Sequence, residues 1–177
     1  MDFKQDVCEK DEFKKMIITI AKQIRDKYAD DIENLAFVGV KTRGVPIAER
    51  LAKEIKRLTK FDAPVGVCDI SAFRDDKSIK KGITPCDIPF NVEGKHIVLV
   101  DDVLYTGRTM RAGISAVLSF GRPASISVSV MADRIGFLEM PIYAEFVGVK
   151  LETLQDDVVS VSVKEVDKED SIKIYSY

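Results

Sequence analysis

The chain has few of the residues that build zinc sites, disulfide frameworks or histidine-based active sites. Its 177 residues include three cysteines and one histidine. Cys8, Cys68 and Cys86 are widely spaced and lack a CxxC or neighbouring-histidine pattern, so zinc is not expected and a reducing cytoplasm fits best. His96 begins an apolar run, which favours a hydrogen-bonded structural role over that of a catalytic base.

Long apolar runs and a surplus of one charge are also missing. Runs such as Leu35–Val40 are far shorter than the roughly 18 residues that a membrane-spanning helix needs. The N-terminal segment MDFKQDVCEKDEF is charged throughout, which predicts neither a signal nor a transit peptide. The 27 Lys and Arg against 29 Asp and Glu mean that nucleic-acid binding would need a local basic patch. We expect a cytoplasmic protein without membrane contact.

The chain does contain enough apolar residues for one core. With 46% hydrophobic residues, a single domain over residues 1–177 is predicted. Apolar residues spaced by three and four predict a helix over Asp11–Asp30, and strands then alternate with helices. The predicted strands are Leu35–Val40, Pro64–Ile70, His96–Val100 and Ser125–Met131, and helices are predicted from Pro46 and over Arg108–Phe120.

This alternation is typical of an α/β fold with a mainly parallel sheet flanked by helices. The last third differs, because Glu145–Val149, Val158–Val163 and Ser171–Tyr175 are β-rich with no clear helix between them. These segments are predicted to extend the sheet or to form a small β-rich hood. Ligands of such folds bind at the carboxyl ends of the parallel strands.

Polar residues follow two of the predicted strands. Lys41–Gly44 follows the first, and Asp101–Gly107 is predicted to be a loop. The adjacent carboxylates Asp101 and Asp102 can accept hydrogen bonds from a diol. The turn Thr106–Thr109 supplies backbone amides, two hydroxyls and a helix start, a combination that suits a phosphate dianion. It lacks the Gly-Lys-Ser/Thr ending of a Walker loop and the three spaced glycines of a dinucleotide fingerprint.

The segment Ile97–Thr109, IVLVDDVLYTGRT, resembles the phosphoribosyl pyrophosphate (PRPP) motif of type I phosphoribosyltransferases in the form found in the PyrR family. Members of that family are pyrimidine operon attenuators with uracil phosphoribosyltransferase activity. The resemblance covers nearly the whole chain and implies the type I phosphoribosyltransferase fold. Further matches stand in the family's order at Lys41–Gly44, Phe73–Asp76, Asp87–Pro89, Arg111–Gly113, Gly121–Pro123 and Asp133–Arg134.

The resemblance implies roles for individual residues. Asp101 and Asp102 would hold the ribose hydroxyls, Thr106–Thr109 the 5′-phosphate, and the Thr42–Arg43 loop the pyrophosphate. Arg74 lies in the charged stretch Ser71–Asn91, which resembles the lid that closes over the reacting centre. The implied substrate-binding residues are Thr42, Arg43, Asp101, Asp102, Val103, Leu104, Tyr105, Thr106, Gly107, Arg108, Thr109 and Arg134, and the implied catalytic residues are Asp101, Asp102 and Arg74.

The implied reaction is attack of a uracil nitrogen on the anomeric carbon of PRPP, which yields UMP and magnesium pyrophosphate. Such a step needs alignment and charge stabilisation more than proton transfer, so it does not require a histidine base. Mg²⁺ would be held chiefly by PRPP and water, and no protein ligand is assigned. Because the family commonly forms dimers and higher assemblies, a homodimer or a higher homo-oligomer is expected.

The chain departs from the family after Asp133–Arg134. The family usually reads Gly-His-Arg-Glu-Leu-Pro-Ile there, whereas Ile135–Ile142 reads IGFLEMPI, one residue longer and without both basic side chains. Thr19, Lys22, Tyr143 and Val149 stand where the family commonly has Arg, His, Arg and Lys. From Leu151 to Tyr177 there are three lysines against seven acids. A surface for a messenger RNA leader is therefore weakened, whereas the substrate loops are retained.

Three functions stay open at this point. The first is a uracil phosphoribosyltransferase of the PyrR type. The second is a UMP-sensing, RNA-binding attenuator of pyrimidine genes with little catalysis, which would need a basic surface. The third is a phosphoribosyltransferase for another base, such as a purine or orotate. Orotate carries a carboxylate and would want a cation in the base pocket, for which Arg134 is the candidate.

Overall fold

The computed structural model describes residues 1–70 and 86–176. Arg74 and most of the predicted lid therefore lie outside the described residues. The elements in chain order are β1 (Asp2–Cys8), α1 (Lys10–Lys27), a 3-10 segment (Ala29–Asn34), β2 (Leu35–Val40), α2 (Gly44–Thr59), β3 (Val65–Cys68), β4 (Cys86–Asp87), β5 (His96–Leu104), α3 (Arg108–Leu118), β6 (Ser125–Arg134), β7 (Phe146–Leu151), β8 (Asp157–Ser162), α4 (Lys164–Asp167) and β9 (Ser171–Ser176).

The main sheet has six strands in the order β4-β3-β2-β5-β6-β7. Every neighbouring pair is parallel except β3 and β4, so the prediction of a mainly parallel sheet is confirmed. All six residues of β2 are buried. The helices α1 and α2 pack on one face of the sheet and α3 packs on the other. A strand covered on both faces needs apolar residues in every position, which explains the run LAFVGV.

The first helix buries one apolar face and is capped by its own sequence. Phe13, Ile17, Ile20 and Ile24 are buried at spacings of three and four. Glu9 and Glu12 form a capping box at the N-terminus of α1. The acidic residues in the first turn interact favourably with the positive end of the helix dipole. The start of α1 is thus satisfied without a ligand.

The last third of the chain both extends the main sheet and forms a hood. β7 adds to the main sheet, whereas β8 and β9 join β1 in a three-stranded antiparallel sheet of order β1-β9-β8. The strand β1 has no counterpart in the sequence predictions, because it is mostly exposed and carries no apolar alternation. The four-residue helix α4 lies between β8 and β9, where the sequence shows no clear helix.

The predicted loop Asp101–Gly107 is wrong in its first half. β5 continues to Leu104 because Val103 and Leu104 pair with Ala132 and Asp133 of β6. The acidic pair therefore lies within the strand rather than after it. Among the described helices, none is long and apolar enough to cross a membrane.

Candidate active site

Three neighbouring parallel strands deliver polar residues to one edge of the sheet. β5 lies between β2 and β6, and Gly39 of β2 is level with Val100 of β5. Because the three strands are parallel, their carboxyl ends meet at the same edge. The segment after β2, the end of β5 and the end of β6 therefore surround one site.

The loop Lys41–Gly44 lies directly against the acidic pair. The Lys41 backbone N–H donates to the Cys68 carbonyl at 2.8 Å, so the β2–β3 pairing continues to Lys41 and the chain leaves the sheet at the exposed Thr42. The peptide bond between Lys41 and Thr42 is cis. A Cβ on Gly44 would overlap with the Val100 carbonyl oxygen, so only glycine allows α2 to begin this close to β5.

The two aspartates are oriented by short backbone contacts. The Asp102 N–H donates to Asp101 Oδ1 at 2.9 Å, and the Val103 N–H donates to Asp102 Oδ1 at 2.8 Å. Asp101 is buried, whereas Asp102 is half-buried. Burial raises the pKa of Asp101 well above its usual range, and the charge of Asp102 raises it further. The backbone bonds thus fix the oxygens of both side chains, and the raised pKa favours the protonated form of Asp101.

The turn after β5 leaves the start of α3 open to an anion. Gly107 precedes α3 with a φ of +84°, a conformation that favours glycine. In the described part of the chain, no side chain caps α2 or α3, and neither first turn contains an acidic residue. This contrasts with the capping box of α1. The Arg108 N–H lies 3.5 Å from Thr106 Oγ1 in a weak contact, and the dipole of α3 favours a phosphate at this point.

The segment after β6 covers this turn. The Glu139 N–H donates to the Thr106 carbonyl at 3.0 Å, and Arg108 Nε donates to Glu139 Oε2 at 2.6 Å. A Cβ on Gly107 would lie 3.2 Å from the Met140 Cβ, so the two segments are in close contact. The part of the chain that departs most from the family sequence therefore packs against the predicted phosphate loop.

Arg134 is buried at the end of β6 with its guanidinium already engaged. Its Cζ atom lies 4.0 Å from the centre of the Tyr105 ring and 4.9 Å from that of Phe137. Its Nε donates to Thr153 Oγ1 at 3.1 Å, and Nη2 donates to the Leu154 carbonyl at 3.0 Å. The neighbouring Asp133 is only half-buried, and burial raises its pKa while the charge of Lys150 lowers it.

Arg43 contacts the hood. Its Nε and Nη2 atoms donate to the two carboxylate oxygens of Asp167 at 2.9 and 2.8 Å. The hydrogen bonds to Asp167 are the largest cause that raises the pKa of the Arg43 guanidinium, and the same bonds lower the pKa of Asp167. The predicted pyrophosphate loop is thereby connected to α4.

The sequence is similar to known proteins over nearly its whole length. The sequence matches the phosphoribosyl transferase domain over residues 6–168. The bifunctional protein PyrR of Thermus aquaticus is 42% identical over 178 residues, which cover 99% of this chain and 97% of that protein. The chain belongs to the PyrR family. The bifunctional protein PyrR of Picosynechococcus sp. is 41% identical over 171 residues, which cover 96% of each chain.

Solved structures share the fold of this PyrR-family chain. A hypoxanthine phosphoribosyltransferase of Trypanosoma cruzi superposes with a TM-score of 0.76 at 17% identity, over 98% of this chain and 97% of that one. A hypoxanthine phosphoribosyltransferase of Staphylococcus aureus gives 0.73 at 19% identity, over 97% and 92%. At these identities the likeness shows the type I phosphoribosyltransferase fold alone.

The residues assigned through the PyrR-family resemblance fall into four groups. Thr42, Arg43, Asp101, Asp102 and Thr106–Thr109 all lie at the described edge of the sheet. Val103 is half-buried against the apolar core and Leu104 is buried in it, so a ligand could reach Leu104 only through its backbone. Tyr105 and Arg134 contact each other, and Arg74 lies outside the described residues. Asp167, Phe137 and Thr153 were not predicted, since they meet their partners through tertiary contacts without a local sequence signal.

The donor set fits a magnesium ion shared with substrate. Within the described residues, no group of three or more histidine, cysteine or acidic side chains could hold a metal by itself. The oxygens of Asp101 and Asp102 are of the hard type that Mg²⁺ prefers, and Mg²⁺ usually combines one or two carboxylates with substrate phosphates and water. These two residues would therefore contribute to a site completed by PRPP.

Proposed function

We propose that the protein transfers the phosphoribosyl group of PRPP to a nitrogen of uracil and releases UMP and pyrophosphate. The observation that carries the proposal is the position of the uncapped start of α3 next to the acidic pair and the Lys41–Gly44 loop. One phosphate, one diol and one diphosphate are the three features that PRPP presents. The three positions in the site match these three groups of PRPP, and membership of the PyrR family supports the same substrate.

The residues present would act by alignment and by charge. The amides of Thr106–Thr109 would fix the 5′-phosphate, and Asp101 and Asp102 would accept hydrogen bonds from the ribose hydroxyls. Arg43 would stabilise negative charge as it develops on the leaving pyrophosphate. Bound Mg²⁺ would supply further neutralisation of that charge. The proton lost by the uracil nitrogen can pass to the departing pyrophosphate or to water, so no described residue has to take it up.

The state of Arg134 favours uracil over orotate. A carboxylate on the base would need a cation with free donors, but the guanidinium of Arg134 is buried, stacked on Tyr105 and donating to Thr153 and Leu154. Breaking these contacts to bind a carboxylate would leave polar groups unpaired. Uracil carries no carboxylate and therefore needs no cation, so it can bind while Arg134 keeps its contacts with Tyr105, Thr153 and Leu154.

The experiment is a pyrophosphate-release assay with purified protein, PRPP and Mg²⁺, with uracil, orotate, hypoxanthine and guanine offered separately. Release with uracil alone is the expected result, and a chromatographic match of the product to UMP completes it. The control is the Asp102→Asn variant, which removes one carboxylate and should give no release. Release with orotate or a purine instead of uracil would contradict the proposal.

Binding of a messenger RNA leader and assembly into a homodimer or higher oligomer stay predictions from the resemblance. Tyr143, at a position where the family commonly has a basic residue, is 72% exposed. An uncharged ring at this site contributes nothing to phosphate neutralisation. We therefore place phosphoribosyl transfer ahead of the attenuator function.

A further inference from the structure

Two arginines of the α2 segment form ion pairs with acidic residues of α4. Arg43 and Arg50 are seven residues apart, so two turns of helix place them on one face. Arg43 contacts Asp167 through two hydrogen bonds, and Arg50 contacts Glu165 through two more at 3.0 and 2.6 Å. Paired N–H donors that meet paired carboxylate oxygens fix both direction and distance.

The Asp167 carboxylate is itself held in place. Its Oδ2 atom also accepts the Val163 N–H at 2.8 Å, so the side chain is anchored to the start of α4. The helix is anchored in turn, because Asp170 accepts both the Lys164 N–H and Arg50 Nη2, each at 2.8 Å. Asp167 therefore offers Arg43 a fixed acceptor rather than a mobile surface charge.

The pair leaves part of the Arg43 guanidinium free for a second anion. A guanidinium has five N–H donors, and Asp167 uses one on Nε and one on Nη2. The Arg43 side chain is 38% exposed. Arg43 directly precedes α2 and lies beside the acidic pair. The remaining donors thus lie on a side chain whose rotation is restricted by the hood.

We propose that Asp167 is a positioning residue for the transferase reaction, which holds the Arg43 guanidinium so that its remaining donors face the pyrophosphate of PRPP. This inference rests on the proposed function and assigns to α4 a role in the site. Its physical basis is preorganisation, because an arginine already fixed loses less conformational freedom when the anion binds. The opposite relation, in which Asp167 competes with pyrophosphate for Arg43, predicts the opposite change in affinity.

The test compares Asp167→Asn with the matched control Glu165→Gln, which loosens the same helix without touching Arg43. Calorimetry with pyrophosphate and Mg²⁺, and separately with UMP, needs no turnover. Asp167→Asn should weaken pyrophosphate binding by up to about tenfold, the cost of ordering one long side chain when the anion binds. UMP affinity, and both affinities of Glu165→Gln, should stay within about twofold.

A double-mutant cycle identifies the route of the effect. Arg43→Ala should weaken pyrophosphate binding, and Asp167→Asn added to Arg43→Ala should cost almost nothing more, because Asp167 acts through Arg43. Equal or tighter pyrophosphate binding by Asp167→Asn, or the same loss in Glu165→Gln, would overturn the inference. If wild-type protein binds pyrophosphate in this manner but transfers to no base, the proposed function fails, while the positioning of Arg43 by Asp167 for pyrophosphate stands.

Discussion

The guanidinium carbon of Arg134 lies over the Tyr105 ring, 4.0 Å from the ring centre. It also lies over the Phe137 ring and donates hydrogen bonds to Thr153 and to the Leu154 carbonyl. Arg134 thus joins three segments at the site: the phosphate turn, the segment after β6 and the segment before β8. A buried arginine in this position contributes as much to the shape of the site as to its charge.

Replacing Arg134 with Met should therefore destabilise the protein. The change keeps much of the side-chain length but leaves the Leu154 carbonyl without this donor and removes the contact between the cation and the rings. We expect a loss of about 1–3 kcal/mol in the free energy of unfolding, measured by urea denaturation. The exposed Arg122→Met is the control and should change that free energy by less than about 0.5 kcal/mol. Equal effects in both variants would argue against a structural role for Arg134.

The acidic pair should be essential for transfer but not for folding. Asp101→Asn and Asp102→Asn keep the shape of each side chain and an oxygen that can accept the backbone bonds described above. We expect each to reduce uracil-dependent pyrophosphate release by at least about a hundredfold, since a preorganised electrostatic contact is lost. Circular dichroism should show an unchanged fold. Retained activity in both variants would contradict the assignment of Asp101 and Asp102 to the binding of the ribose hydroxyls.

Asp101 should also cost stability at neutral pH. Its pKa is raised in the folded protein, whereas an unfolded aspartate has a pKa of about 4. Between these two pKa values the folded state binds a proton that the unfolded state does not, so the free energy of unfolding falls as the pH rises through this window. The asparagine of Asp101→Asn does not titrate, so this variant should have a larger free energy of unfolding than wild type at about neutral pH.

Urea denaturation of both proteins as a function of pH checks this. The advantage of Asp101→Asn should shrink on acidification, because Asp101 is then protonated in the folded and unfolded states alike. Asp156→Asn, at an exposed position, is the control and should show no comparable pH-dependent gain. An Asp101→Asn variant less stable than wild type at every pH would contradict the direction of the shift.

The Cys8 thiol should be unreactive in the native protein. It is buried in the core, and burial raises its pKa to about 11. Near pH 8 only about one molecule in a thousand would carry the reactive thiolate. Iodoacetamide followed by mass spectrometry should leave Cys8 unmodified in the native state and modify it after unfolding in urea. Rapid native modification would mean that β1 separates from β9 readily.

The central sheet could be predicted because its strands are apolar along their whole length. The prediction for β2 matches the structure over Leu35–Val40, since burial on both faces leaves a continuous apolar run. The prediction for β5 ended too early at Val100. Two aspartates suggest a loop, but the longer neighbour β6 continues to pair as far as Leu104, and this pairing is set by tertiary structure.

The contacts that shape the site were less predictable. Residue type indicates a phosphate and a diol at the acidic pair and the turn after β5, whereas the role of the loop after β2 came from the family resemblance, and all of these roles stay predictions. The pair of Arg43 and Asp167 joins residues 124 positions apart, and the small hood strand β1 is mostly exposed. Neither leaves a local hydrophobic pattern, so both depend on the assembled fold.

The uncapped starts of α2 and α3 have a practical consequence for every measurement of stability on this protein. Buffer anions such as phosphate and sulfate can serve the same backbone amides as a substrate, and any species that binds only the folded state raises the melting temperature by mass action. Melting curves recorded in phosphate would then describe a partly liganded population. Comparisons between variants belong in buffers whose anions are large, weakly coordinating and present at one fixed concentration.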